Sequence, residues 1–243
     1  PARLLRGAAF QATINGYDTV RLIQERLEAA AGTITGEPLR LANHSWGYVG
    51  GWIQQTIQVL QGGQTNTITN AWIWRGSLAF PEEWRFGYYF PDVSDGSGCT
   101  QIDALLSTNA TRHMMVYAAG NDRLTGPGAP TTYYYRSGTN WYDWTRVDNP
   151  PANSRDWRNG DGTYGFDTIL APGTAKNVLT VGAVRDVYRV VGSEIQYGYA
   201  TNASIVLAPF SGCGPTDDGR IKPDIVAVGQ ANPNLRDFGI LTP

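Results

Sequence analysis

The chain is poor in the residues that most often do chemistry at neutral pH. Only two histidines, two cysteines and two methionines occur among 243 residues. Two cysteines exclude a disulfide-dense scaffold, whose stability comes from several crosslinks. Spacing alone leaves Cys99 and Cys213 open between one bridge and two separate thiols, the latter being the simpler reading. No Cys/His spacing suits zinc. Charged side chains make up only 16%, with 19 basic residues spread among 21 acidic ones, so the clustered basic surface that a nucleic-acid partner requires is missing. No apolar run approaches the roughly 20 residues of a membrane span. The first residues, Pro1 to Arg6, hold neither an initiating methionine nor a secretory apolar segment, so the expectation is a processed N-terminus or a piece of a longer protein.

What is present suits a globular core. Hydrophobic residues reach 42%, enough for one large domain. Arg3 to Phe10 reads as a strand. Asp18 is a candidate N-cap, after which Val20, Ile23, Leu27 and Ala31 recur at helical spacing until Gly32. Leu39–Asn43 reads as a strand, Gly51–Leu60 as a helix, Gln61–Asn66 as a polar loop and Ala71–Trp74 as a short strand. Cys99–Thr108 reads as a helix with Ile102, Leu105 and Leu106 inward, followed by a strand at Met114–Ala119. Residues 123–165, rich in Gly, Pro, Tyr and Trp without a period, read as one long irregular excursion. Strands follow at Val178–Val184, Ile205–Pro209 and Ile225–Val228. Strands alternating with helices predict βαβ units and a mostly parallel, twisted sheet with helices on both faces, a three-layer α/β architecture.

If the strands at Leu39–Asn43 and Met114–Ala119 lie side by side and parallel, their following loops share one sheet edge. Ser45-Trp46-Gly47 then comes near Ala118-Ala119-Gly120-Asn121, and the pair predicts a groove able to hold an extended peptide by strand addition. Ser45 is no nucleophile partnered by His44, because neighbours on a strand point to opposite faces. His113, at the head of an apolar strand, reads as structural. Asn121 alone reads first as a turn residue that ends a strand.

Four segments carry a family resemblance. Asn43-His44-Ser45-Trp46-Gly47, Ala118-Ala119-Gly120-Asn121-Asp122, Gly173–Ala183 and Phe210–Asp224, the last with its Lys222-Pro223-Asp224 continuation, are together similar to the subtilases, the subtilisin-like serine peptidases. They stand in that family's order and cover most of residues 39–229. The resemblance implies a partial subtilisin-like domain over residues 1–243, incomplete at both ends, with the excursion at 123–165 as an insertion. It implies Asn121 as the oxyanion-hole donor, and Ser45, Trp46, Gly47, Ala118, Ala119 and Gly120 as walls that bind a peptide or protein substrate.

The same resemblance shows what is missing. Neither histidine stands in a His-Gly-Thr-His context, and no Gly-Thr-Ser-x-Ala nucleophile segment occurs. The family's Asp and His segments precede the matched region and its Ser segment follows it, so the expectation is that all three triad residues lie outside this chain. The chain alone should then be inactive, its partner being the remainder of the same peptidase. The alternative is a catalytically inactive module that binds peptide in the groove, or carbohydrate on the aromatic excursion with Tyr133, Tyr134, Tyr135, Trp141, Tyr142 and Trp144. Val228 where the family favours proline, and Gly212-Cys213 in place of a serine-containing pair, depart from the pattern without touching catalysis. Family membership implies secretion. It requires no cofactor, and it adds calcium as a candidate ligand of Asp156, Asn159, Asp161 and Asp167, or of Asp92 and Asp95, although their spacing reads first as solvated loop.

Overall fold

The structure, a computed structural model, describes residues 13–14, 16–17, 22–33, 36–48, 51–74, 98–126, 132–137, 142–148, 167–185, 188–191, 194–197, 205–216 and 218–230. The strand expected at Arg3–Phe10, most of residues 149–166, and Trp141 lie outside these. The elements run in the order α1 (Leu22–Ala31), β1 (Leu41–His44), β2 (Trp52–Gln61), β3 (Gln64–Trp74), α2 (Cys99–Thr108), β4 (Met114–Ala118), β5 (Tyr133–Arg136), β6 (Trp144–Val147), β7 (Leu179–Arg185), β8 (Tyr188–Val191), β9 (Glu194–Tyr197) and β10 (Ile225–Gln230). No described helix is long and apolar enough to cross a membrane.

The main sheet has the order β1-β4-β7-β10 and is parallel throughout. Alternation sorts its side chains onto two faces. Met115 and Tyr117 of β4 point to one face, where Cys99, Ile102 and Leu106 of α2 complete a buried core with Ala171, Ala175 and Val178. Ala30 of α1 packs against this same cluster. The expected helix at 22–31 is therefore present, but its inward face is not the apolar set. Leu27 is 62% exposed, whereas Glu25, Arg26 and Glu28 are buried. The opposite sheet face carries Leu41, Met114 and Ile225, which are about half exposed or more.

The polar anchors of this sheet explain the motifs. Lys222 is buried, and its ammonium donates to Val178 O at 3.0 Å, Thr180 Oγ1 at 3.1 Å and Asp224 Oδ2 at 2.7 Å. Asp224 Oδ2 also accepts from Thr180 N at 2.7 Å. The Lys-Pro-Asp run is thus a bracket locking β10 onto β7. Asp103 of α2 is buried, and its carboxylate accepts from the backbone N–H groups of Lys176 and Asn177, which ties the turn before β7 to the helix. Ser211 Oγ accepts from Ala183 N at 2.9 Å. Ile205–Pro209, expected as a strand, makes only a single bridge, from Leu207 to Val184.

Three expectations fail outside the main sheet. Residues 52–61 form a strand, not a helix. Ile57 and Val59 are buried while Gln58 and Leu60 are exposed, a period of two. The polar loop expected at 61–66 shrinks to Gly62-Gly63, whose φ values of 60° and 79° fit the two-residue turn that a twisted hairpin needs. The excursion at 123–165 is also not wholly irregular. It contributes β5 and β6, and β5 pairs in parallel with β3, giving a second sheet of order β2-β3-β5-β6. Its core holds Ile57, Val59, Ala71, Ile73 and Tyr134.

Only the lysine end of this pair is buried, so deleting it strands no buried charge but takes a donor from Val178 O and Thr180 Oγ1. Lys222→Ala should therefore lower stability by about 2 kcal/mol, measured as a lower denaturant midpoint with an unchanged slope. A loss below about 1 kcal/mol would show that the bracket is dispensable.

Candidate substrate groove

β1 and β4 pair in parallel, with His44 opposite Tyr117. The segments that follow them consequently leave the same edge of the sheet, the carboxyl edge where open α/β sheets place ligands. Leu170 lies between them. A Cβ added at Gly47 would sit 3.1 Å from Leu170 Cβ, and one added at Gly120 would sit 2.5 Å from Leu170 Cγ. Tyr48 N donates to Ala171 O at 2.8 Å, and Leu170 N donates to Ala119 O at 3.0 Å. Segment 168–173 is thereby bonded to both rims. Gly212 closes the arrangement from below: its N–H donates to Gly120 O, and its Cα faces Ala119 O and Thr168 O so closely that no side chain fits. The four motif segments converge on this one edge.

Ser45 is exposed, and its Oγ accepts from Asn43 Nδ2 at 3.1 Å. Trp46 is half-buried. Its ring packs edge-on against Tyr48 and Tyr117, each at 5.8 Å, and against the inward face, so its backbone is the part left for the groove. Among the described residues no loop hydrogen bond occupies the N–H or C=O of Trp46 or Gly47. On the other rim, Ala118 is half-buried and Ala119 is buried, with its N–H given to Val181 O and its C=O taken by Leu170. Gly120 turns the chain with φ of 106°, open to glycine and costly for other residues. Asn121 comes next and is exposed, its amide at the rim and not in the core. Asp122 is half-buried, and burial pushes its carboxyl above the usual range.

Behind the Ser45–Gly47 rim lies a buried polar group that the sequence did not announce. His44 stacks on Tyr117 with ring centroids 4.4 Å apart and planes 14° from parallel. Its Nε2 lies 3.5 Å from Glu25 Oε1. Burial, aided by the charge of Arg26 and by His113, brings the imidazole down to about 4. Burial also raises the Glu25 carboxyl. With the imidazole uncharged at neutral pH, the contact is no salt bridge there, and burial works against charge on both partners. Arg26 and Glu28 lie off the Val20, Ile23, Leu27, Ala31 spacing, and the tertiary fold turns them inward.

The remaining candidates are dispersed. Cys99 and Cys213 form no disulfide, and both are buried. Cys99 Sγ lies 3.2 Å from Thr174 Oγ1, and burial raises the Cys213 thiol. His113 contacts Leu39 O at 3.0 Å through Nδ1, a structural link between β4 and the start of β1. Asp156, Asn159, Asp161, Asp92 and Asp95 lie outside the described residues, while Asp167 is buried. Among the described residues no cluster of three or more His, Cys, Asp or Glu side chains could hold a metal ion. Of the aromatic excursion, Tyr134 is core, and Tyr133, Tyr135 and Trp144 are half-buried in the second sheet.

The parallel sheet brings these four segments together, and sequence comparison gives the family that they belong to. This chain belongs to the subtilase family, whose model matches residues 3–241. It is also similar to the Serine protease/ABC transporter B family protein tagA of Dictyostelium discoideum, with 28% identity over 127 residues, covering 49% of this chain and 7% of that protein. The chain thus spans a small fraction of that curated relative. No solved structure matches it. The family is one of serine peptidases.

The crowding at Gly120 is directly testable. Gly120→Ala should cost more than Gly36→Ala, since both positions have positive φ but only Gly120 faces a neighbour within 4 Å. The excess should be about 1–3 kcal/mol, the usual cost of overpacking, read from thermal unfolding of the two variants. Equal losses would remove Leu170 as the wedge between the rims.

Proposed function

We propose that this chain is the central part of a subtilisin-like serine endopeptidase. It binds an extended peptide between Ser45-Trp46-Gly47 and Ala118-Ala119-Gly120 and offers Asn121 as an oxyanion donor. The observation that carries this reading is the exposed Asn121 amide, one residue beyond Gly120 at the end of β4, on the same sheet edge as the unengaged backbone of Trp46 and Gly47. Peptide cleavage through an acyl-enzyme begins when a serine hydroxyl attacks the carbonyl carbon, with a histidine taking its proton. The carbonyl oxygen gains negative charge as it becomes tetrahedral. An amide N–H aimed at that oxygen is worth more in the transition state than with the planar substrate, so it accelerates the step. In this reading Asp, His and Ser of the triad come from polypeptide outside these 243 residues, the reaction needs no cofactor, and the enzyme acts outside the cell.

The same reading completes the layers. The order β1-β4-β7-β10 steps one way across the sheet, so right-handed crossovers put its connections on one face, the face where α2 lies. Parallel sheets are covered on both faces. The exposed Leu41, Met114 and Ile225 therefore await a third layer from outside this run of connections. A binding module is the second reading. It is favoured by Trp72, Trp74, Tyr133 and Tyr135, half-buried side chains that the strand register puts on one face of the second sheet, opposite the Ile73 and Tyr134 core, with Trp52 buried beneath them, as a surface for carbohydrate.

In the complete natural protein, Asn121→Ala should reduce kcat for peptide hydrolysis by about 10²–10³-fold, the scale seen when a subtilisin loses such a donor, with little change in KM. Unaltered kcat would remove the oxyanion role. A complete protein without an Asp, His, Ser triad would favour the binding module.

A further inference from the structure

We propose that His44 is a positioning residue of the substrate wall: uncharged, it holds Ser45-Trp46-Gly47 in line for a peptide, and on taking a proton it releases that wall. This inference rests on the peptide-groove reading and extends it to residues behind the groove. His44 is the last residue of β1, immediately before the rim. Its ring is fixed on three sides. Tyr117 lies flat against it at 4.4 Å, Trp46 meets it edge-on at 6.0 Å, and Glu25 Oε1 approaches Nε2 at 3.5 Å. Trp46 also meets Tyr117 edge-on, so the wall residue and its support share one aromatic floor.

The chamber has no good place for a second proton. His44 is 5% exposed, and Nε2 has no hydrogen-bond partner. The charged and titratable groups that face it are Glu25, Arg26 and Glu28 from α1, and Tyr117 with the more distant His113 from β4. Cys99 of α2 acts on Tyr117 behind them. Glu28 is engaged by the Tyr17 hydroxyl. Among the described residues the Arg26 guanidinium lies against the Tyr117 hydroxyl and has no well-formed hydrogen bond to it. A proton on His44 would add positive charge beside Arg26 while Glu25 is itself pushed toward its neutral form. Inside, the imidazolium would lie between the Arg26 guanidinium and the Glu25 carboxyl; outside the Tyr117 stack it gains full hydration, so it leaves for solvent and β1 carries the rim with it.

The sign follows. The folded imidazole is depressed to about 4 from 6.5, so the closed wall is fully favoured above about pH 6.5 and loses ground as the pH falls through the folded value. Each unit of difference corresponds to about tenfold in the open-to-closed ratio.

The test measures binding, not turnover, so that the catalytic histidine does not contribute. The Kd of the complete natural protein for an extended peptide with a reduced, uncleavable central bond is measured at about pH 7 and about pH 4.5. We expect a rise of about tenfold or more in the native protein. In His44→Phe, which keeps a flat ring but cannot titrate, Kd should stay constant within about twofold over the same range, whatever its value at neutral pH. His44→Gln, uncharged throughout, is the second variant should the first fail to fold. An equal acid loss in native protein and variant, or none in either, overturns the inference and leaves the groove standing. No binding by native protein at any pH overturns the groove reading and this inference together. The His44 ring proton resonances should titrate near 4 in native protein, and a midpoint at or above 6.5 would also overturn it.

Discussion

The site depends on how closely backbone approaches backbone around Ala119 and Gly120. Ala119 gives its N–H to β7 and its carbonyl to Leu170, while Gly212 presses on that same carbonyl and donates to Gly120. A side chain on either glycine would collide with the neighbouring chain. The three segments 118–121, 168–173 and 210–213 are thus set relative to one another by main-chain hydrogen bonds, whose lengths and angles tolerate little drift. Asn121 leaves this knot as the first residue free to face solvent. Its placement is inherited from the knot, not from contacts of its own.

Around the knot, polar groups anchor the elements. Lys222, Asp103 and Ser211 are buried, and each spends its donors or acceptors on backbone of a neighbouring element. A buried polar group is tolerated when it is hydrogen-bonded, and these are. They also give register: Lys222 reaches Val178 and Thr180 together only when β10 is seated correctly on β7. The His44 chamber follows the opposite rule. Its polar atoms are gathered without full satisfaction, which makes it the less settled region of the same face.

The main sheet was legible because its strands announce themselves locally. Met114–Ala118 and Leu179–Arg185 are short apolar runs between turn signals, and Cys99–Thr108 shows a helical period with Ile102 and Leu106 inward. Adjacent order in the chain then placed the two rims on one edge. The second sheet was not legible, for two reasons. Residues 52–61 mix Gln with Ile and Val so that a short window supports either period, and only pairing with 64–74 decides it. Strands β5 and β6 draw their support from β3, about 60 residues earlier, a contact that no local pattern reveals. The buried face of α1 was missed for a related reason. Glu25, Arg26 and Glu28 would be solvated on an isolated helix, and tertiary packing overrides that preference.

The pairing of β3 with β5 has a consequence for the two rims. The hairpin follows Gly47 and β5 follows Asn121 along the chain, and the two are laddered together through β3 and β5. The segments that leave the ends of β1 and β4 are therefore tied twice, through segment 168–173 and by the main-chain ladder of the second sheet. Changes in the length of one insertion would leave ladder groups of the other without partners, and the two insertions should evolve as a unit.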